Sequence, residues 1–85
     1  MYIIDVKRHT WNMGKNTKLK LERGPSFEMV MDRLTKGAYR VIPTPSKSHP
    51  GQSAYMITFN GVRYVVPFHE SKTHVFMHTI MRYDP

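Results

Sequence analysis

Histidines and an acid near the C-terminal end are the residues whose types and spacing best suit acid–base chemistry. If Glu70–Thr73 is a tight turn, His69 and His74 lie opposite each other at its mouth, beside Glu70. Histidine exchanges protons near neutral pH, and a cation such as Arg63 stabilises a charged phosphorane. Such a set can cut RNA without a metal. Taken alone, the pattern favours a simpler interpretation, two surface histidines at a turn.

A metal site is not expected, although five histidines invite one. His74 and His78 have the i, i+4 spacing that binds zinc on a helix, but this segment has the pattern of a strand. Four strand residues span about 13 Å, so the pair cannot share one ion. The chain has no cysteine, and it has neither a glycine-rich phosphate loop nor a nucleophile elbow. We therefore predict no metal and no cofactor.

The balance of charge predicts attraction to a polyanion. Thirteen lysines and arginines against six acids give a formal charge of +7. This excess is typical of proteins that bind nucleic acid, although a solvated basic surface has the same composition. The residues expected to contact RNA phosphates are Lys15, Lys18, Lys20, Arg23, Lys72 and Arg82.

Length and composition predict one soluble domain over residues 1–85. A chain of 85 residues, 40% of them hydrophobic, can bury one small core. Its N-terminal apolar run is too short for a signal peptide, and no segment approaches a transmembrane span. We expect no membrane association and a cytoplasmic location.

Two helices are predicted in the N-terminal half. Asn12 can cap a weakly amphipathic helix over Asn12–Glu22, and Arg23-Gly24-Pro25 ends it, with Gly24 suited to the left-handed position. Ser26 can cap a second helix that stops at Lys36-Gly37. Its apolar stripe consists of Phe27, Val30, Met31 and Leu34.

The remaining segments have the pattern of strands. Asn60-Gly61 is a strong signal for a hairpin with a type I′ turn, and Pro67 should lie at an edge, a bulge or a strand end. The predicted strands are Tyr2–Val6, Ala38–Ile42, Tyr55–Phe59, Val62–Phe68 and Thr73–Met81. The order predicts an α+β fold, with two N-terminal helices packed on a mainly antiparallel sheet of four to five strands.

The segment Pro43–Ala54 is rich in proline, glycine and serine, which precludes regular structure. A loop of this length in a small domain is usually either functional or disordered. We expect it to be mobile. Contact with RNA through Lys47 and His49 is the functional alternative.

One stretch of the chain resembles a known family. The residues that carry the resemblance are Trp11, Asn12, Lys15, Asn16, Gly24, Ser26, Phe27 and Glu28. Their spacing looks like the N-terminal signature of the BrnT-like toxins, and the segment Val65–Glu70 is similar to a later motif that places Glu70 on the family's glutamate. The sequence departs from the pattern at Arg23, where the family has histidine, and at Ser71, where it has arginine.

The resemblance implies a RelE-like α+β fold, ribonuclease activity, and neutralisation by a ribbon-helix-helix antitoxin. A homodimer within a toxin–antitoxin complex would fit the same expectation. On this hypothesis Glu70 and His69 or His74 transfer protons, and Arg63 holds phosphate with Lys72 and Arg82. The alternative is a non-catalytic, phage-encoded protein that binds nucleic acid or an acidic partner on the same scaffold.

Overall fold

The computed structural model of the chain describes residues 7–43 and 52–83. The predicted strand Tyr2–Val6 lies outside these residues, as does most of the predicted loop Pro43–Ala54. In chain order the elements are β1 (Arg8–Thr10), α1 (Met13–Leu21), α2 (Phe27–Thr35), β2 (Arg40–Pro43), β3 (Ser53–Phe59), β4 (Val62–Glu70), β5 (His74–Met77) and β6 (Met81–Arg82). The prediction of an α+β chain with two N-terminal helices is confirmed.

The six described strands form one mixed sheet in the order β1-β5-β4-β3-β2, and β6 pairs with β4. Every pairing is antiparallel except that of β1 with β5, which is parallel. The sheet is therefore mainly antiparallel, as predicted, but it has one more strand than expected. The parallel pairing places β1, the first described strand, beside β5 near the end of the chain.

Both helices begin at the predicted caps. The Asn12 side chain accepts the backbone N–H of Lys15, and the Ser26 hydroxyl accepts that of Met29, so each satisfies a free donor of the first turn. The helices differ in how they are held. Phe27 of α2 is fully buried, whereas Leu21 of α1 is 80% exposed.

Each helix ends in the same hydrogen-bonded motif, with one residue in the left-handed conformation. After α2 this residue is Gly37, at φ +72°. After α1 it is Arg23, at φ +59°, and the prediction that Gly24 takes the position was wrong. The N–H of Arg23 donates to the Lys20 carbonyl and that of Gly24 to the Leu19 carbonyl. The motif places its left-handed residue directly after the helix cap, one position before Gly24.

The hairpin between β3 and β4 confirms the sequence signal. Asn60 and Gly61 have φ values of +50° and +78° and join strands that pair from Phe59 and Val62 outwards. A type I′ turn requires positive φ at both central residues, which asparagine tolerates and glycine adopts freely.

The last predicted strand, Thr73–Met81, is divided into β5 and β6. Residues 66–67 of β4 lie opposite three residues, 78–80, so the ladder carries one extra residue. Pro67 explains the break. The Pro67 carbonyl accepts the N–H of His78 at 2.9 Å. The Pro67 nitrogen points towards the same neighbouring segment but has no hydrogen to donate, so one hydrogen bond of the ladder cannot form there. Pro67 therefore lies at a bulge, one of the predicted positions.

The helices cover one face of the sheet, here called the helix face. Its side chains form the core together with Phe27 and Val30 of α2, and they include Tyr55, Ile57, Phe59, Val66, Phe68, Val75 and Met77. Strand alternation directs the intervening residues to the opposite side, here called the far face. The two faces separate the charged groups that were predicted to act together.

Candidate functional site

The predicted catalytic residues do not form one group. In the β4–β5 ladder His69 pairs with Phe76 and Glu70 with Val75, so His69 and His74 are not opposite each other, as had been expected. The turn lies one residue later than predicted, over residues 71–74, where the N–H of Ser71 donates to the His74 carbonyl at 2.8 Å. Alternation then places Glu70 on the helix face and both histidines on the far face.

Arg63 is also remote from Glu70. It lies near the opposite end of β4, where it pairs with Thr58. Arg63 and Glu70 are seven residue steps apart, which is roughly 23 Å along β4. Arg63 therefore cannot supply the cation for chemistry at Glu70.

A different set of titratable side chains surrounds Glu70, at the rim of the helix face. We call Lys7, His9, Tyr55 and Glu70 the rim cluster. His9 Nδ1 lies 2.9 Å from the Lys7 carbonyl oxygen, and His9 Nε2 lies 3.0 Å from the Tyr55 hydroxyl. Because a carbonyl only accepts, Nδ1 carries a proton. In neutral His9, Nε2 then accepts the hydrogen of Tyr55, so the backbone fixes both the tautomer and the ring orientation.

Glu70 completes the rim cluster from the neighbouring strand. The Lys7 ammonium lies 3.1 Å from the Glu70 carboxylate and donates a 2.8 Å hydrogen bond to the Ser71 carbonyl. His9 and Glu70 both pair with Val75, one from each side, so the three residues form a row across β1, β5 and β4. Two strand spacings separate the His9 and Glu70 Cα atoms by about 10 Å. An imidazole and a carboxylate therefore flank a small apolar floor.

Tyr55 is the buried member of the cluster. Its ring stacks on Phe68 at a centroid distance of 4.3 Å and meets Tyr39 edge-on at 5.4 Å. Burial, with smaller contributions from Tyr39 and Glu70, raises the pKa of Tyr55 to about 12. Tyr55 therefore stays a neutral hydroxyl that holds the His9 ring in place.

The rim cluster has the groups for proton transfer beside a phosphate: an imidazole, a carboxylate and an ammonium. In the sequence, Lys7 and His9 belong to a short basic run far from Glu70. No local signal links them to that acid, because the link depends on the pairing of β1 with β5. Of the predicted catalytic residues, Glu70 alone belongs to the cluster.

The predicted RNA-contacting residues are dispersed. Lys20 forms an ion pair with Glu28 at 3.0 Å, and the Lys15 ammonium donates to the His78 carbonyl at 3.3 Å. Lys18 is exposed on α1 and Lys72 is exposed in the turn after Glu70. Arg23 follows α1, and Arg82 pairs with Tyr64 on the helix face.

The residues that carry the family resemblance have structural contacts. Trp11 stacks on Phe27 at 5.5 Å and 14°. Asn16 is 2% exposed; its Nδ2 lies 2.9 Å from both carboxylate oxygens of Glu28, and its Oδ1 accepts the N–H of Phe27 at 2.9 Å. The residues of this motif therefore form the contacts that attach α1 to the start of α2.

The far face carries a second group of charged and titratable residues. The exposed members are Arg8, Arg40, Arg63, His69 and His74. Each is placed there by its register with a far-face neighbour; Arg8, for example, pairs with His74 and Arg40 with Met56. The described acids Glu22, Glu28 and Asp32 belong to the helices and their ends, and Glu70 points to the helix face. Within the described residues the far face is therefore basic.

In residues 7–43 and 52–83, no three histidine or acidic side chains are grouped so as to hold a metal ion. The helices of the same residues are too short and too polar to cross a membrane.

Comparisons of the chain with models of protein families, with curated proteins and with solved structures find no match.

Proposed function

We propose that this protein is a metal-independent ribonuclease whose chemistry takes place at the rim cluster. The observation that carries the proposal is the row His9–Val75–Glu70, with Lys7 ion-paired to Glu70 and Tyr55 hydrogen-bonded to His9. The formal charge of +7 supports a polyanionic substrate.

In the proposed reaction Glu70 takes the proton of a ribose 2′-hydroxyl, and the 2′-oxygen forms a bond to phosphorus. The bond between phosphorus and the 5′-oxygen breaks, and the leaving oxygen takes the hydroxyl hydrogen of Tyr55, which in turn receives the Nε2 proton of protonated His9. Lys7 stabilises the charge that develops on the phosphorane. The products are a 2′,3′-cyclic phosphate and a free 5′-hydroxyl.

The experiment is incubation of pure protein with single-stranded RNA in the presence of a chelator, followed by analysis of the RNA ends. Removal of one proton-transfer group should slow cleavage by about 10²- to 10⁴-fold, and we expect this of Glu70→Gln and His9→Gln. Glu22→Gln is the matched control, because it makes the same change at the exposed end of α1. Intact RNA together with harmless overexpression would overturn the proposal, as would full activity in both rim variants.

We further propose that this ribonuclease is the toxin of a type II toxin–antitoxin pair, with a RelE-like fold and a cytoplasmic location. This part rests on the resemblance described above and on the α+β architecture. A neighbouring reading frame that encodes a ribbon-helix-helix protein would support it, and co-expression should yield a complex. Toxicity that co-expression of such a protein does not relieve would contradict this part of the proposal.

A second candidate function is non-catalytic binding of RNA through the far face. It is favoured by the separation of charge described above, with Arg8, Arg40 and Arg63 on one side of the sheet and the described acids on the other. Removing one phosphate-binding side chain should reduce the slope of log affinity against log salt by about 0.7 for a single strand. Arg40→Gln and Arg63→Gln should show this reduction, whereas affinity should persist when Glu70 and His9 become alanine.

A further inference from the structure

A pocket opens at the end of the sheet opposite the rim cluster. It lies between the turn that joins α1 to α2 and the hairpin of β3 and β4, and its volume is about 210 Å³. Arg23 and Pro25 border it on the helical side, and Phe59, Asn60 and Tyr64 on the sheet side. We call it the hairpin pocket. It shares no residue with the rim cluster, and Tyr64 and Glu70 are separated by roughly 20 Å of β4.

One wall of the hairpin pocket is aromatic. The rings of Phe59 and Tyr64 lie 6.0 Å apart at 56°, and Met29 of α2 lines the pocket beside them. The Arg33 guanidinium lies 4.6 Å from the centroid of Phe59 and helps to fix that ring. Phe59 is only 6% exposed, so a flat ring bound here contacts mainly Tyr64 and Met29, which are more exposed. The volume is below the range of about 300–1,000 Å³ for whole small-molecule ligands, so it suits one ring.

The polar groups of the pocket select an anion that also has hydrogen-bonding edges. Arg23 is exposed, and within the described residues no acid forms an ion pair with it. Asn60 offers both a donor and an acceptor. A nucleobase edge offers the same combination, whereas the benzyl ring of a peptide offers the amide neither a donor nor an acceptor.

The backbone holds Arg23 at the mouth of the pocket in a conformation that favours glycine. Its φ is +59°, and the equivalent residue after α2 is Gly37. Two hydrogen bonds fix this turn, from the N–H of Arg23 to Lys20 and from that of Gly24 to Leu19. The side chain therefore starts from a defined point beside the aromatic wall.

We propose that the hairpin pocket binds one nucleotide unit, with the base against Met29 and Tyr64, beside the largely buried Phe59, and the phosphate on Arg23. Arginine forms two parallel hydrogen bonds with a phosphate, and aromatic side chains stack on bases of any sequence. The same unit occurs in a free mononucleotide and in single-stranded RNA. This site is independent of the proposed cleavage chemistry.

The test uses adenosine 5′-monophosphate, with adenosine and inorganic phosphate as partial ligands, and follows backbone amide resonances of the full chain. Saturable shifts of Gly24, Asn60 and Gly61 are expected with the nucleotide. Losing the charge-assisted bonds to phosphate or the contacts of the base should weaken binding at least about tenfold. No saturable shift at these residues would overturn the proposal.

Arg23→Gly separates loss of the site from loss of the fold. The substitution removes the guanidinium and places a glycine where the backbone favours one, so the melting temperature should rise while nucleotide affinity falls at least about tenfold. Lys36→Gln, which removes one exposed cation at the end of α2, should leave the affinity unchanged. Equal affinity of the Arg23→Gly variant and the unaltered protein would contradict the assignment.

RNA tetranucleotides with and without a 5′-phosphate identify the source of the ligand. Tighter binding of the phosphorylated form points to a terminal nucleotide, equal binding of both above the mononucleotide points to an internal one, and preference for the mononucleotide points to a free ligand. Each supports a nucleotide site. An acidic aromatic peptide that displaces the mononucleotide more strongly than either RNA would overturn it. Because the mononucleotide has no internucleotide bond, an inactive ribonuclease does not affect the test.

Discussion

The buried amide of Asn16 joins the two helices by binding both the side chain of Glu28 and the backbone of Phe27. Its Nδ2 donates to both carboxylate oxygens, and its Oδ1 accepts an N–H from the first turn of α2. One polar residue therefore attaches α1 to α2, because the weak apolar stripe of α1 provides little hydrophobic contact.

Asn16→Ala should lower the free energy of unfolding by about 2–3 kcal/mol, because it removes these bonds and leaves the buried N–H of Phe27 without its acceptor. Urea unfolding measures the change. Asn12→Ala is the matched control, since loss of an exposed helix cap costs about 1 kcal/mol. Equal losses in the two variants would contradict the role given to Asn16.

Glu28 should make stability depend on pH in the acid range. Hydrogen bonds from the Asn16 side chain and the backbone, and then Lys20, lower the pKa of Glu28 from 4.5 to about 2. Between these values the unfolded chain binds the proton more readily, so this stabilisation is complete above about pH 5 and is lost as the pH falls to 2. Glu28→Gln should lower stability at pH 7 and match the unaltered protein near pH 2. A constant difference across that range would contradict the prediction.

Tyr55 should make stability depend on pH in the alkaline range, where stability falls as the pH rises. Its pKa is raised to about 12 from 10.0, so its contribution to stability is complete below pH 10 and is lost as the pH rises towards 12. Unfolding experiments in this range measure the slope, and tyrosinate absorption reports the titration directly. Tyr55→Phe should remove both the late-titrating tyrosine and part of the slope. A titration at pH 10 for every tyrosine would contradict the prediction.

Arg23→Gly should raise the free energy of unfolding by about 0.5–1 kcal/mol, because the left-handed conformation costs arginine more than it costs glycine, even after allowing for the flexibility of glycine in the unfolded chain. Gly37→Ala provides the mirror experiment, since it places a side chain at φ +72° and should destabilise. Destabilisation by Arg23→Gly would show that its side chain has a structural contact of comparable strength.

The parts of the fold that depend on local chemistry were predictable. The caps Asn12 and Ser26, the apolar stripe of α2 and the Asn60-Gly61 turn each depend on residues a few positions apart. Proline at position 67 predicted an interruption, although the pattern did not indicate that two short strands would follow on the same edge of β4.

The candidate site was not predictable in the same way, because it depends on pairings between distant segments. One residue of register decides which face a strand side chain occupies, and the turn after Glu70 lies one residue later than predicted, which puts His74 out of line with His69. His9 could be assigned to Glu70 only once β1 was placed beside β5. Composition indicated a polyanionic partner, but it could not show whether the basic surface lies on the far face or on the helices.

The parallel pairing of β1 with β5 also bears on the order in which the molecule folds. The two helices and the β3–β4 hairpin connect neighbours in sequence, whereas Arg8 meets His74 only after the intervening chain has closed into a loop. Closing a long loop is entropically unfavourable, so we expect this docking late on the folding pathway. His9 then reaches Tyr55 only in the completed domain. A nascent or truncated chain would lack the rim cluster, and any activity that depends on it would begin only when synthesis of the C-terminal strands is complete.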